Sequence, residues 1–216
     1  MNSFAFISDF DGTITKKDFY LLIAERYMPA DSPDYLAEYR AGRLTHFDAM
    51  QLYFNHAPTA SGQLEELLRD TQPDARLAEC AKRLEAAGWD LIIVSAGSSW
   101  YIDRILGNAG VRATVHSNPG RIEESRGFVM ERPVESPFFS REVGIDKASV
   151  VRDALSRYKR VAFAGDGPPD VMASLLVAPS LRFARAYLAE TLDSRGESFR
   201  AYRRWSDIAD ALLAGA

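Results

Sequence analysis

Asp9-Phe10-Asp11-Gly12-Thr13-Ile14-Thr15 follows directly on the apolar run Phe4-Ala5-Phe6-Ile7. A short apolar run ending in acids and a glycine reads as a buried strand that opens into a polar turn. In open parallel sheets ligands bind beyond the carboxyl ends of the strands, so Asp9 stands where a reactive group belongs. Two acids two residues apart, turning on a glycine, can bring both carboxylates to one centre. One can then serve as nucleophile and the other as proton donor. Asp and Gly are also common in plain turns, so the stretch alone allows both readings.

Outward from this turn the chain alternates short apolar runs with amphipathic stretches, the pattern of a parallel α/β sheet. The further runs are Leu91-Ile92-Ile93-Val94, Ala113-Thr114-Val115, Val161-Ala162-Phe163-Ala164 and Leu175-Leu176-Val177. Helical faces are expected from Ile102, Ile105, Leu106 and Ala109, and from Ala148, Val151, Leu155 and Tyr158. From Lys16 to Gln72 there is no strand candidate, only helical patterns broken by Pro29, Pro33, Gly42, Pro58 and Gly62. That stretch is too long for a simple crossover and reads as a helical insert. A second break, Ser117 to Gly144, offers a hairpin between Arg121-Ile122-Glu123 and Phe128-Val129-Met130.

Three more segments carry chemistry. Ser95-Ala96-Gly97-Ser98-Ser99 joins a strand to the Ile102 helix, so its N–H groups and the Ser95 hydroxyl can meet an anion. Helix capping by Ser98 or Ser99 is compatible with that role. Gly165-Asp166-Gly167-Pro168-Pro169-Asp170 ends another strand. It offers two carboxylates one helical turn apart, the oxygen donors that Mg²⁺ prefers, with capping by Asp166 as the plain alternative. Lys147 opens the Ala148–Tyr158 helix and matters only through the company it keeps.

These four segments, in this order, resemble the motifs of the haloacid dehalogenase-like hydrolase superfamily. The resemblance covers Phe4 to about Leu176, and it is nearest to the phosphoserine-phosphatase-like branch. The tail Leu181-Arg182-Phe183-Ala184-Arg185-Ala186-Tyr187-Leu188, with Arg200-Ala201-Tyr202 and a final helix, is similar to methionine-salvage phosphatases. Those act on 2-hydroxy-3-keto-5-methylthiopentenyl-1-phosphate. The resemblance implies a Rossmann-like three-layer α/β/α sandwich with a helical cap inserted after the first strand. Residues 1–15 and 73–216 would form the core and 16–72 the cap. It further implies an Mg²⁺-dependent phosphatase acting on a small-molecule phosphomonoester. Asp9 would be the nucleophile and Asp11 the acid and base. Asp9, the Asp11 carbonyl, Asp166 and Asp170 would surround the metal. Gly12, Thr13, Ser95, Ala96, Gly97 and Lys147 would meet phosphate. A phosphotransferase or phosphomutase using the same aspartate, and a non-catalytic phosphate-binding scaffold, are the alternatives. Ala96 stands where many relatives carry glycine, two prolines fill the last motif, and the cysteine-rich insert of some methionine-salvage relatives is missing. These departures bear on substrate rather than on reaction.

The 216 residues suffice for a real core, and 47% hydrophobic with 26% charged residues is ordinary for a globular chain. A net charge of −4 gives no reason to expect a nucleic-acid partner, and Arg200-Ala201-Tyr202-Arg203-Arg204 reads as a solvated strip. The single Cys80, at helical spacing with Leu77, Ala81 and Leu84, excludes an internal disulfide and reads as core. No leader is legible at Asn2, and no apolar run approaches the roughly 20 residues that span a bilayer, so a cytoplasmic protein without a membrane partner is expected. His46, His56 and His116 share no metal-site spacing and read as surface or packed imidazoles. Arg40, Arg43, Tyr20 and Tyr53 are candidates for shaping substrate choice. Trp89, Trp100 and Trp205 read as packing residues, Trp100 being near enough to the Ser95 loop to be a candidate pocket wall.

Overall fold

The computed structural model describes residues 3–215, so Met1, Asn2 and Ala216, including the start of the expected leaderless terminus, lie outside the described residues. Strand β1 (Phe4–Ser8) leads into four helices: α1 (Phe19–Tyr27), α2 (Tyr35–Arg40), α3 (His46–Phe54) and α4 (Ser61–Asp70). The chain returns through α5 (Leu77–Ala86) to β2 (Trp89–Ser98), α6 (Ser99–Asn108) and β3 (Thr114–Asn118). Two small hairpins follow, β4 (Gly120–Glu123) with β5 (Gly127–Met130) and β6 (Phe139–Ser140) with β7 (Gly144–Ile145). The remainder is α7 (Lys147–Arg157), β8 (Arg160–Gly165), α8 (Val171–Ser174), β9 (Arg182–Ala184), α9 (Ala186–Ser194), β10 (Arg200–Ala201) and α10 (Trp205–Ala214).

Six parallel strands form the main sheet in the order β10-β9-β8-β1-β2-β3. Strand β1 is central, with Ser8 in register with Ile93 of β2 on one side and Ala164 of β8 on the other. The connections leave β1 in opposite directions, so its carboxyl end is the switch point where such sheets open a crevice. Alternation assigns the faces: Phe6, Ile93, Ala162 and Ala164 join a core with α5, α6 and α10, while Ala5, Ile7, Ile92, Val94, Val161 and Phe163 face α7 and α9. This is the three-layer α/β sandwich expected from the sequence. Among the described residues no helix is long and apolar enough to cross a membrane.

The stretch between β1 and α5 is helical, and its buried residues Phe19, Leu22, Phe47, Phe54 and Leu67 run continuously into the core on the α5–α6 face. The expected hairpin is present, with Ile122 opposite Phe128, and Gln51 of α3 holds it through the Phe128 carbonyl and the Met130 N–H (2.9 and 2.7 Å).

Three local expectations need correction. Leu175-Leu176-Val177 is a turn; the fifth strand is β9, which starts at a buried arginine. The Arg182 guanidinium donates to the carbonyls of Ser174 (2.8 Å) and Val177 (3.3 Å), which fixes that turn. Secondly, Leu155 is 42% exposed; the buried stripe of α7 runs through Lys147, Val151 and Ala154, so the helix is rotated from the expected face. Lastly, β2 continues through Ser95-Ala96-Gly97 to Ser98, with its register to β3 broken between Val94 and Ser98, where a small polar turn was expected.

Candidate active site

The carboxyl ends of β1, β2 and β8 and the start of α7 meet around a cavity of about 230 Å³. Asp9, Asp11, Ser95, Ala96, Gly97, Lys147, Asp166 and Asp170 all line it, so most of the sequence-derived candidates converge. Gly12 and Thr13 do not. Gly12 takes φ +69°, a conformation that favours glycine, and a side chain there would collide with the Asp166 carboxylate. Thr13 stands behind the acids: its hydroxyl donates to Asp166 Oδ1 (3.3 Å) and accepts from the Tyr202 hydroxyl (3.2 Å).

Asp9 is held from below and from the side. Trp205 Nε1 donates to Ser8 Oγ (3.0 Å), and that hydroxyl donates to the Asp9 carbonyl (2.7 Å), so α10 braces the end of β1. On the side chain, Asp9 Oδ1 accepts both the Phe10 N–H and the Lys147 ammonium, each at 2.7 Å. Lys147 also reaches Asp170 Oδ1 (2.7 Å), and Asp170 Oδ2 accepts the N–H groups of Asp166 (3.0 Å) and Gly167 (2.9 Å). Asp170 thereby shapes the turn after β8 and places Lys147. On the opposite wall Ser95 Oγ accepts the Gly97 N–H (2.9 Å), and Ser98 caps α6 by accepting the Trp100 N–H (3.3 Å), as expected.

Asp9, Asp166 and Asp170 each offer an oxygen within 4.8 Å of the others. Three carboxylates face a single ammonium in a buried pocket, a charge imbalance that a divalent cation would relieve, and all-oxygen donors suit Mg²⁺. The donor set therefore fits such an ion. Burial, then the neighbouring Asp170, pushes the Asp9 carboxyl well above the usual range, with Lys147 pulling the other way. Asp166 is raised to about 6, again by burial and then Asp170. Burial opposes the Lys147 ammonium, but Asp170 and Asp9 outweigh it and hold the lysine above its ordinary pKa.

The cavity is also lined by Asp18, Tyr39, His46, Tyr101 and Tyr187, polar residues that the sequence did not single out as site residues. His46, read from sequence as a surface or packed imidazole, sits on the cavity wall with its Nδ1 buried and unpaired. The other two histidines are packing groups, His116 against Phe138 and His56 beside Tyr35. Of the four insert candidates, Tyr20 and Arg40 line the cavity; Arg43 pairs with Glu38, and Tyr53 bonds Asp34. Trp100 lies under the Arg104 guanidinium (4.0 Å), away from the lining. Cys80 is buried in the core.

Asp18 precedes α1 at the capping position without making a side-chain cap bond. Its carboxyl faces the cavity, and burial, then Asp11 and Asp166, raises it from 3.8 to about 8. The folded chain therefore binds a proton that the unfolded chain releases above its ordinary pKa, so stability falls as pH rises from about 4 to about 8. In metal-free protein, Asp18→Asn is expected to raise Tm more at pH 8 than at pH 5. An equal change at both values would contradict this protonation.

Comparison with known proteins agrees with the geometry. The family described as haloacid dehalogenase-like hydrolase matches residues 6–174. No curated protein matches the sequence. Among solved structures, a phospho-aspartyl intermediate analogue of phosphoserine phosphatase superposes with a TM-score of 0.67 at 14% identity, covering 97% of this chain and 99% of that one. The HAD family hydrolase t0658 from Salmonella enterica serovar Typhi gives 0.69 at 15% identity, covering 93% and 68%. A phosphoserine phosphohydrolase-like protein from Francisella tularensis gives 0.65 at 18%, covering 97% and 99%. At these identities the likeness establishes a shared fold.

Proposed function

Since the chain belongs to the haloacid dehalogenase-like hydrolase family, we propose that it is an Mg²⁺-dependent phosphatase of small phosphomonoesters, working through an aspartyl-phosphate on Asp9. The observation that carries this reading is the buried Asp9 carboxylate, paired at 2.7 Å with Lys147 and ringed by Asp166 and Asp170. The Phe10 N–H and the Lys147 ammonium both meet Oδ1 of Asp9, and attack on phosphorus is assigned to Oδ2.

In the first half-reaction the Asp9 Oδ2–phosphorus bond forms and the bond to the ester oxygen breaks, while Asp11 gives its proton to the departing alkoxide. Burial raises the Asp11 carboxyl above its usual range, against the pull of the Tyr101 hydroxyl and the Phe19 N–H, which favours the protonated form that this step needs. In the second half-reaction Asp11 takes a proton from water as the water oxygen bonds phosphorus, and Asp9 leaves as carboxylate. Ser95 Oγ and the N–H groups beside it orient the phosphoryl oxygens, and Lys147 offsets their charge. Asp9, the Asp11 carbonyl, Asp166 and Asp170 would hold a magnesium ion, which when bound would further neutralise phosphoryl charge. Gly12 and Thr13 support this arrangement from behind Asp166. Residues 16–72 act as a cap over the strand ends, and Tyr20, Tyr39 and Arg40 face the organic half of the substrate. Phosphoserine and the methionine-salvage phosphate are both within the proposed class.

Adding Mg²⁺ to chelator-treated protein is expected to switch on nitrophenol release from p-nitrophenyl phosphate, with one free phosphate per nitrophenol. Nitrophenol in excess of phosphate when glycerol is supplied would identify a phosphotransferase instead. Full turnover in the presence of chelator would overturn the metal dependence.

A further inference from the structure

Asp11 is gripped at both carboxylate oxygens. Its Oδ1 accepts the Phe19 N–H (3.0 Å) at the start of α1, and its Oδ2 accepts the Tyr101 hydroxyl (2.5 Å) from the first turn of α6. Tyr101 is 1% exposed, and its ring stacks on Phe19 (centroids 4.4 Å, 20° between planes), so the hydroxyl has little freedom to point elsewhere. The neighbouring chain makes room for the contact. A side chain at Gly97 would collide with the Tyr101 hydroxyl and approach Asp11 Oδ2 to 3.0 Å. The glycine of the β2 turn thus leaves space for a tyrosine to reach the acid.

Resting on the phosphatase reading above, we infer that Tyr101 is a positioning residue that aims the Asp11 carboxyl at the leaving-group oxygen. A hydroxyl donor fixed on Oδ2, with a backbone N–H fixed on Oδ1, leaves the carboxyl plane one orientation. General acid catalysis depends on that orientation, because the donor must lie within hydrogen-bond reach of the oxygen it protonates.

The test compares Tyr101→Phe with wild type on two substrates of nearly equal shape. Nitrophenolate leaves readily without a proton, whereas phenolate needs one, and kcat/KM reports the step in which that bond breaks. The variant is expected to lose about 10- to 100-fold in kcat/KM on phenyl phosphate, part of the factor of about 10² to 10⁴ that a general acid supplies. On p-nitrophenyl phosphate it should lose less than about threefold, because little protonation is required there. In an Asp11→Asn background the same substitution should change neither value. A tyrosine that only packs would lower both substrates alike, and that result, or no loss on either, would overturn the inference. The phosphatase reading fails separately, if wild type with Mg²⁺ hydrolyses neither ester. A crystal structure of Tyr101→Phe then still decides the positioning: an Asp11 carboxyl turned or split between conformers supports it, and one left in place overturns it.

Discussion

Replacing Asp9 with asparagine is expected to lower Mg²⁺-dependent turnover of p-nitrophenyl phosphate by about 10⁴-fold or more, the scale seen when a covalent nucleophile is removed. The amide keeps the size of the side chain and an oxygen able to accept the Phe10 N–H and the Lys147 ammonium. It cannot form a stable ester with phosphorus. Folding should survive, because burial and the neighbouring Asp170 and Asp166 already penalise the charge on Asp9, and the substitution removes that charge. Steady-state rates paired with a thermal melt separate the two effects. Activity within a few tens of percent of wild type would remove Asp9 from the chemistry.

Lys147→Met comes second in size and acts on stability as well as rate. The ammonium is 3% exposed and stands 2.7 Å from both Asp9 and Asp170. At an effective dielectric near 20, a unit pair at 4 Å is worth about 4 kcal/mol, so deleting the cation leaves a large uncompensated repulsion. Breaking a buried pair by removing one partner costs about 3–5 kcal/mol. At about 2–4 °C per kcal/mol for a chain of this size, Tm should fall by roughly 10 °C. The rate should fall about 10²- to 10³-fold through lost charge stabilisation. Mg²⁺ should recover part of the Tm and little of the rate, since a cation can compensate the carboxylates without reproducing the ammonium's hydrogen bonds. A melt unchanged from wild type would show that the buried pair does not hold the site together.

Much of this site was legible because its residues sit where a strand stops. Phe4–Ile7 and Val161–Ala164 are continuous apolar runs, and each is followed two residues on by an acid that the sheet brings to the same edge. The insert was legible through length and the lack of strand patterns. Other features resisted for identifiable reasons. Strand β9 hid behind Arg182, whose charge breaks the apolar pattern although its guanidinium is buried on the Ser174, Val177 and Ser198 carbonyls and paired with Glu197. The burial of Lys147 could have been read from its i, i+4, i+7 spacing with Val151 and Ala154, a stripe that starts on the lysine itself. Asp18 carries a signal too, as a third acid within ten residues of the strand end. Tyr101, His46 and Tyr187 carry none, because their roles depend on how α6, α3 and α9 are rotated toward the cavity, and one chain's periodicity does not give those angles.

A covalent bond between Asp9 and phosphorus is the central step of the proposed reaction. A single-turnover reaction with p-nitrophenyl phosphate, quenched in acid within the first milliseconds and resolved by peptide mass spectrometry, tests that bond directly. One phosphoryl group is expected on the peptide containing Asp9, formed as fast as nitrophenol appears and absent from Asp9→Asn. Nitrophenol released with no phosphorylated peptide at any time, at a rate that Asp9→Asn shares, would contradict it.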